Sequence, residues 1–228
     1  MRPVDKGIRD EEFKPYGKAK LPLTETIGWY CSYCEMRVAH KIEVEHVVPQ
    51  ANGGAKYKWE NFLLGCSYCN GAANKSNNNK SRTSYYWPDT DNTFIAFEYF
   101  EKKEIIKPDS NLSQAQKKIA QNTIDLLGLD KAPYSGNKPS PADIRWIHRD
   151  SAWTTAKDAL NDWETGASAQ LKNSIAREAA AKGFFSVWMT VFNNYPQMKS
   201  ALIEKFKGTA QNCFDNNGNP VARPGGLL

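Results

Sequence analysis

The sequence contains no run of eighteen or more apolar residues, which excludes a membrane-spanning helix. It has no internal repeat. The opening stretch from Met1 to Lys20 carries Arg2, Lys6, Arg9, Lys14, Lys18 and Lys20 around no apolar core, so a secretory signal is not expected. Histidine is scarce, with three in 228 residues. Cysteine is too sparse for a disulfide-stapled scaffold. There are five, four of them in two Cys-x-x-Cys pairs with Cys213 left over, a usage that suits a metal site in a reducing cytoplasm. A composition of 40% hydrophobic and 24% charged residues excludes a disordered or fibrous chain, and the length fits one domain or two small ones.

Positive charge is in excess, by +5, and its placement is uneven. Residues 1–82, which hold the paired cysteines, carry 13 Lys/Arg against 9 Asp/Glu, whereas residues 83–228 carry 17 against 16. The imbalance favours an anionic partner such as nucleic acid. Composition divides the chain into a region over 1–107 (core 30–82), a helical region over 108–214 and a flexible tail over 215–228, DNNGNPVARPGGLL, which lacks periodicity.

Local patterns predict the elements. Thr93 to Tyr99 and Glu104 to Ile106 form a short hairpin. Ser113 with Gln116 makes a capping box that opens a helix, Ile119, Thr123, Ile124 and Leu127 share one face of it, and Gly128 stops it. Trp153, Ala156, Leu160 and Trp163 recur at helical spacing before Gly166. Two more helices are predicted over 169–194, with a break at Gly183, and from Pro196 to Lys207. The aromatic run Phe184, Phe185, Trp188 and Phe192 reads first as helical core. Any of it left exposed, with Trp153 and Trp163, is a docking face for a partner chain. Nothing in the helical half resembles a phosphate loop, a nucleophile with its base or a further metal cluster.

The chemistry is concentrated earlier. Cys31-Ser-Tyr-Cys34 and Cys66-Ser-Tyr-Cys69, separated by 31 residues, supply four thiolates in two knuckles. Two residues between cysteines let a tight turn aim both sulfurs at one ion, so the four suit a structural Zn²⁺. Inside the gap, the alternation of Ile42, Val44 and His46 predicts a strand, Gly53-Gly54 a turn, and Asn61 to Leu64 a second strand, with a helix following from Asn70. That is a ββα unit stapled by a zinc knuckle, and the whole chain reads as α+β with a mainly helical second half.

Within this unit Glu45 and Asn70 offer a carboxylate and an amide oxygen to a divalent ion, Mg²⁺ or Mn²⁺, with Glu43 and Glu60 as alternative acids. His46 is suited to take a proton from water near neutral pH, although simple alternation sends it to the strand face opposite Glu45. His40 and His148 lack such company and read as structural or surface residues. Lys56, Lys58, Lys75, Lys80 and Arg82 are candidate phosphate contacts.

Cys-x-x-Cys, Glu45-His46, Pro49, Gly53-Gly54, Asn61 and Cys-x-x-Cys-Asn70, with spacings of 15 from His46 to Asn61 and 9 from Asn61 to Asn70, resemble the HNH endonuclease family in its variant ending in Asn. The resemblance implies a ββα-metal nuclease with Glu45 and Asn70 on the catalytic ion, His46 as general base and Asn61 orienting His46. The stretch Gly71-Ala72-Ala73-Asn74 departs from the pattern by delaying the lysine to position 75. Further motifs, Tyr86-Trp87-Pro88-Asp89, Arg145-Trp146 and Gly183 to Met189, resemble the PtuB-like nucleases of Septu and retron-linked anti-phage systems. That resemblance implies a defence effector, cytoplasmic, cutting DNA in preference to RNA, in a hetero-oligomer with a PtuA-like ATPase. The competing readings are a zinc-stabilised nucleic-acid- or protein-binding adaptor that does not cut, and an RNA-cleaving nuclease.

Overall fold

The hairpin predicted inside the cysteine gap forms. In the computed structural model, which describes residues 1–71, 84–101 and 106–228, β1 (Glu43–His46) runs antiparallel to β2 (Phe62–Gly65), with Glu45 opposite Leu63 and His46 opposite Phe62. All four β2 residues are buried, so this strand reads as a continuous apolar run and not as an alternating one. The connecting loop turns after Pro49. Gly54 lets it close, because a Cβ there would lie 1.9 Å from the Val48 carbonyl oxygen. The helix expected from Asn70 falls largely on residues outside those described.

Before the first knuckle the chain forms α1 (Lys20–Ile27), which buries Leu23, Thr24 and Ile27. Pro22 sits in its first turn, where the missing N–H costs nothing. A second hairpin follows, β3 (Phe97–Tyr99) against β4 (Ile106–Pro108), close to the predicted one; Glu104 lies outside the described residues.

The helical half matches its signals closely. In α2 (Gln114–Leu127), the Ser113 side chain accepts from the Gln116 N–H and the Gln116 side chain accepts from the Ser113 N–H, and Gly128 ends the helix in the left-handed region. α3 (Arg145–Gly166) starts two turns before its first predicted apolar residue. α4 (Ala169–Lys182) stops at Gly183, as expected, and α5 (Phe185–Val191) and α6 (Pro196–Lys205) follow. α5 packs on α3, and α4 packs on α6. No helix among the described residues is long and apolar enough to cross a membrane.

Two expectations are corrected. The aromatic run is all core: Phe184, Phe185, Trp188, Phe192, Trp153 and Trp163 are buried, leaving no docking face on them. Phe185 explains why, since its ring meets Phe94, Phe206 and Phe214 at 6.0, 5.2 and 6.0 Å and closes the space between helices. The last residues are not a free tail either. The Val221 N–H donates to the Cys213 carbonyl (2.9 Å), Asn92 Nδ2 to the Val221 carbonyl (2.7 Å) and Arg223 Nη1 to the Val4 carbonyl (3.0 Å), while the Leu228 side chain is buried. One apolar cluster runs from Met1 to Leu228 through both halves.

Phe185→Ala should therefore destabilise the fold by about 3–5 kcal/mol, the usual cost of an emptied aromatic core site. Denaturant unfolding measures this, and a loss below about 1 kcal/mol would contradict the core assignment.

Candidate metal centres

The four predicted cysteines meet. The sulfurs of Cys31, Cys34, Cys66 and Cys69 all lie within 4.8 Å of one another, every one is buried, and Cys34 Sγ is 3.8 Å from Cys66 Sγ. Tetrahedral zinc with Zn–S near 2.3 Å requires S···S separations of about 3.8 Å, so the donor set and its size fit Zn²⁺. Burial and the neighbouring thiols push Cys34 well above the ordinary thiol range, and Cys69 is raised by Cys31 first and by burial after it. Burial opposes the ionisation of Cys31 too, but hydrogen bonds from the other three thiols outweigh it and hold Cys31 well below that range. A cluster in which one thiol ionises at its neighbours' expense calls for a cation.

The backbone builds this cluster from opposite ends of the hairpin. The Ser32 N–H donates to the Leu64 carbonyl (2.8 Å) and fastens the first knuckle to β2, while β2 itself runs directly into Cys66. Glu35 closes the first knuckle at φ 65, and its carboxylate accepts from the Ser186 N–H (3.0 Å) and hydroxyl (2.6 Å) at the start of α5.

Sequence reasoning missed the residue behind the sulfurs. Arg145, 76 positions after Cys69, donates through Nη1 to Cys69 Sγ at 3.2 Å. The same guanidinium donates to the Leu127 and Gly128 carbonyls and forms a 2.7 Å ion pair with Asp143. Burial works against its charge, but Cys69, Asp143 and Cys34 outweigh that and raise its pKa above the usual arginine value. Arg149, also buried, lies one turn further along α3; burial and then Arg145 lower its pKa, while Cys34 opposes them. Four thiolates around one Zn²⁺ leave about two negative charges over, and a buried guanidinium bonded to a ligand sulfur offsets them where water cannot.

The second predicted centre lies on β1. Strand alternation puts Glu43 and Glu45 on one face and His46 on the other, as expected. Glu45 is fully buried and accepts a hydrogen bond from the Tyr33 hydroxyl. Asn70 donates through Nδ2 to Glu43 Oε2 at 2.9 Å. Gly65 holds the two predicted ligands near each other: a Cβ there would lie 3.1 Å from Asn70 Cβ and 3.4 Å from Glu45 Cβ and Cγ. A buried carboxylate, an amide and a second acid brought together by the close approach that glycine permits suit a hard divalent ion. Glu43 is within reach of this group. Glu60 lines a different cleft, about 720 Å³, with Lys6, Arg9 and Trp59.

On the opposite face, His46 packs edge-on against Tyr16 (4.7 Å between ring centres) and Phe62 (5.1 Å). Its Nε2 lies 3.0 Å from the Lys56 carbonyl. The carbonyl only accepts and the Gln50 amide nitrogen, 3.2 Å from the same Nε2, only donates, so Nε2 stands between two neighbours that hold the ring in place. Asn61 does not touch His46 through any of its side-chain hydrogen bonds. It donates to the Val48 and Ala55 carbonyls (2.9 and 3.0 Å) and accepts from the Val48 N–H (2.8 Å), which pins the loop between His46 and Lys56. His40 and His148 are exposed.

Of the candidate phosphate contacts, Lys58 is half-exposed and pairs with Glu12 at 3.4 Å, and Lys56 lies over the Tyr57 ring at 5.2 Å. Lys75, Lys80 and Arg82 lie outside the described residues.

The purified protein should carry one zinc per chain by elemental analysis. Cys66→Ser should release it and lower the melting temperature, and a zinc-free wild type would overturn the knuckle assignment. Arg145→Met keeps the volume but removes the cation, and should speed zinc loss to a chelator on the order of tenfold. Unchanged release would mean that Arg145 only packs.

Residues 31–76 match the family model of the HNH endonuclease. No curated protein and no solved structure matches the chain. The matched span holds both knuckles, the β1–β2 hairpin and Asn70, so the chain carries an HNH endonuclease domain, which implies a divalent metal and a nucleic-acid substrate.

Proposed function

We propose that this protein hydrolyses phosphodiester bonds in nucleic acid, DNA in preference to RNA, using Mg²⁺ or Mn²⁺ held by Glu45 and Asn70. The observation that carries this reading is the arrangement around Gly65, where the absence of a side chain lets a buried carboxylate and an amide approach each other beside the zinc knuckle. An adaptor that only bound its partner would have no use for a fully buried carboxylate beside an amide and a second acid.

His46 takes the proton from the attacking water. Its Nε2, placed between the Lys56 carbonyl and the Gln50 amide, keeps the ring at a set angle between Tyr16 and Phe62. Asn61 acts one step back, by holding the loop that supplies that carbonyl. When bound, the divalent ion supplies positive charge against the phosphate and the departing oxygen. Because Glu45 and His46 lie on opposite faces of β1, cleavage requires a phosphate reached from both faces, at the end of the strand that His46 forms.

The likeness of the downstream motifs to PtuB-like nucleases supports a narrower reading: the effector of an anti-phage system, restrained by an ATPase partner in a hetero-oligomer. Zinc remains structural in this scheme, since four cysteine ligands leave no position for substrate.

Plasmid DNA and labelled RNA incubated with Mg²⁺ or Mn²⁺ test the reading. The wild type should cut DNA faster than RNA. His46→Ala should lose at least a hundredfold in rate, with melting temperature and nucleic-acid binding close to wild type. Glu45→Ala should lose activity that higher metal concentration partly restores. Undiminished cutting by His46→Ala would overturn the mechanism, and binding without cutting by the wild type would favour the adaptor.

A further inference from the structure

The two knuckles share the sequence Cys-Ser-Tyr-Cys, and their tyrosines do different work. Tyr68, in the second, donates to the Ala142 carbonyl and lies under the Arg145 guanidinium at 5.7 Å, so it ties the knuckle to the helical half. Tyr33, in the first, donates to Glu45 Oε2. Its ring is buried and meets Trp87 edge-on at 6.2 Å, which leaves the hydroxyl little freedom. Tyr33 lies between two zinc ligands, Cys31 and Cys34, so its position follows the position of those sulfurs.

The geometry points to Tyr33 as a positioning residue that lets the zinc knuckle set the orientation of Glu45 and thereby the affinity of the catalytic divalent ion. This rests on the reading of Glu45 as a metal ligand. A carboxylate at a metal site needs its orientation restrained, and a phenol O–H on Oε2 stabilises the ionised form and fixes the angle of its plane. The buried ring makes the restraint rigid, because rotating Glu45 away would strand a donor and an acceptor without water. The structural and catalytic metals are then linked through one side chain, and loss of zinc would weaken the catalytic site without any ligand there being changed.

Mn²⁺ titration of the full chain, followed by electron paramagnetic resonance of the free ion, tests this directly. Tyr33→Phe removes only the hydroxyl. It should keep its zinc, weaken Mn²⁺ binding on the order of tenfold, and need correspondingly more metal for half-maximal cutting while the rate at saturating metal changes little. Tyr68→Phe, the same change in the other knuckle, should leave Mn²⁺ affinity at the wild-type value. Equal Mn²⁺ affinity in Tyr33→Phe and wild type would overturn the inference, as would equal weakening in both tyrosine variants or loss of zinc from Tyr33→Phe. Glu45→Ala separates the two levels. If it binds Mn²⁺ as wild type does, the ligand reading itself falls, and this inference with it; if it loses Mn²⁺ while Tyr33→Phe does not, only the role of Tyr33 falls.

Discussion

Four buried sulfurs within 4.8 Å of one another can ionise together only around a cation, and the structure is arranged around that cluster. The knuckles come from either end of a short hairpin that buries little surface of its own and would be marginal alone. Bringing the sulfurs to one point brackets the hairpin and holds β2 against the Ser32 backbone. Each knuckle then reaches outward: the first through the Glu35 carboxylate to the start of α5, the second through Tyr68 and Cys69 to α3. Helices distant in sequence are anchored to the same point.

What was readable in the sequence is what depends on neighbours along the chain. The capping box at Ser113 and the stop at Gly128 are local hydrogen-bond chemistry and appear where expected. The paired cysteines were legible because two-residue spacing is itself the geometry of a metal turn. The aromatic run was harder, because a sequence gives the number of rings and not the sides from which they are covered. Phe185 is enclosed by Phe94, Phe206 and Phe214, none of them in its own helix and Phe94 far away in sequence. The last residues misled for a related reason: Asn92 donates to the Val221 carbonyl and Arg223 to the Val4 carbonyl, and a backbone acceptor leaves no side-chain pattern to read.

The same distinction separates the site residues. Glu45, His46 and Asn70 stand out by type and spacing, but the partners that orient them do not. Asn61 acts on a loop and not on the imidazole, and Arg145 reaches its sulfur across 76 positions. For Tyr33 a signal was present. A tyrosine at the same place in both Cys-x-x-Cys pairs is more than a metal turn needs, and the surplus marks the side chains that face outward from the zinc.

Arg145 also imposes an order in time. Synthesis runs from the N-terminus, so all four cysteines leave the ribosome well before the guanidinium that donates to Cys69. A nascent chain that has folded its hairpin and captured zinc carries the surplus negative charge of the thiolates with no buried partner, until α3 has been made and has docked. The HNH endonuclease domain is translated early and completed late, and its maturation is clocked by the arrival of a helix from beyond the matched span.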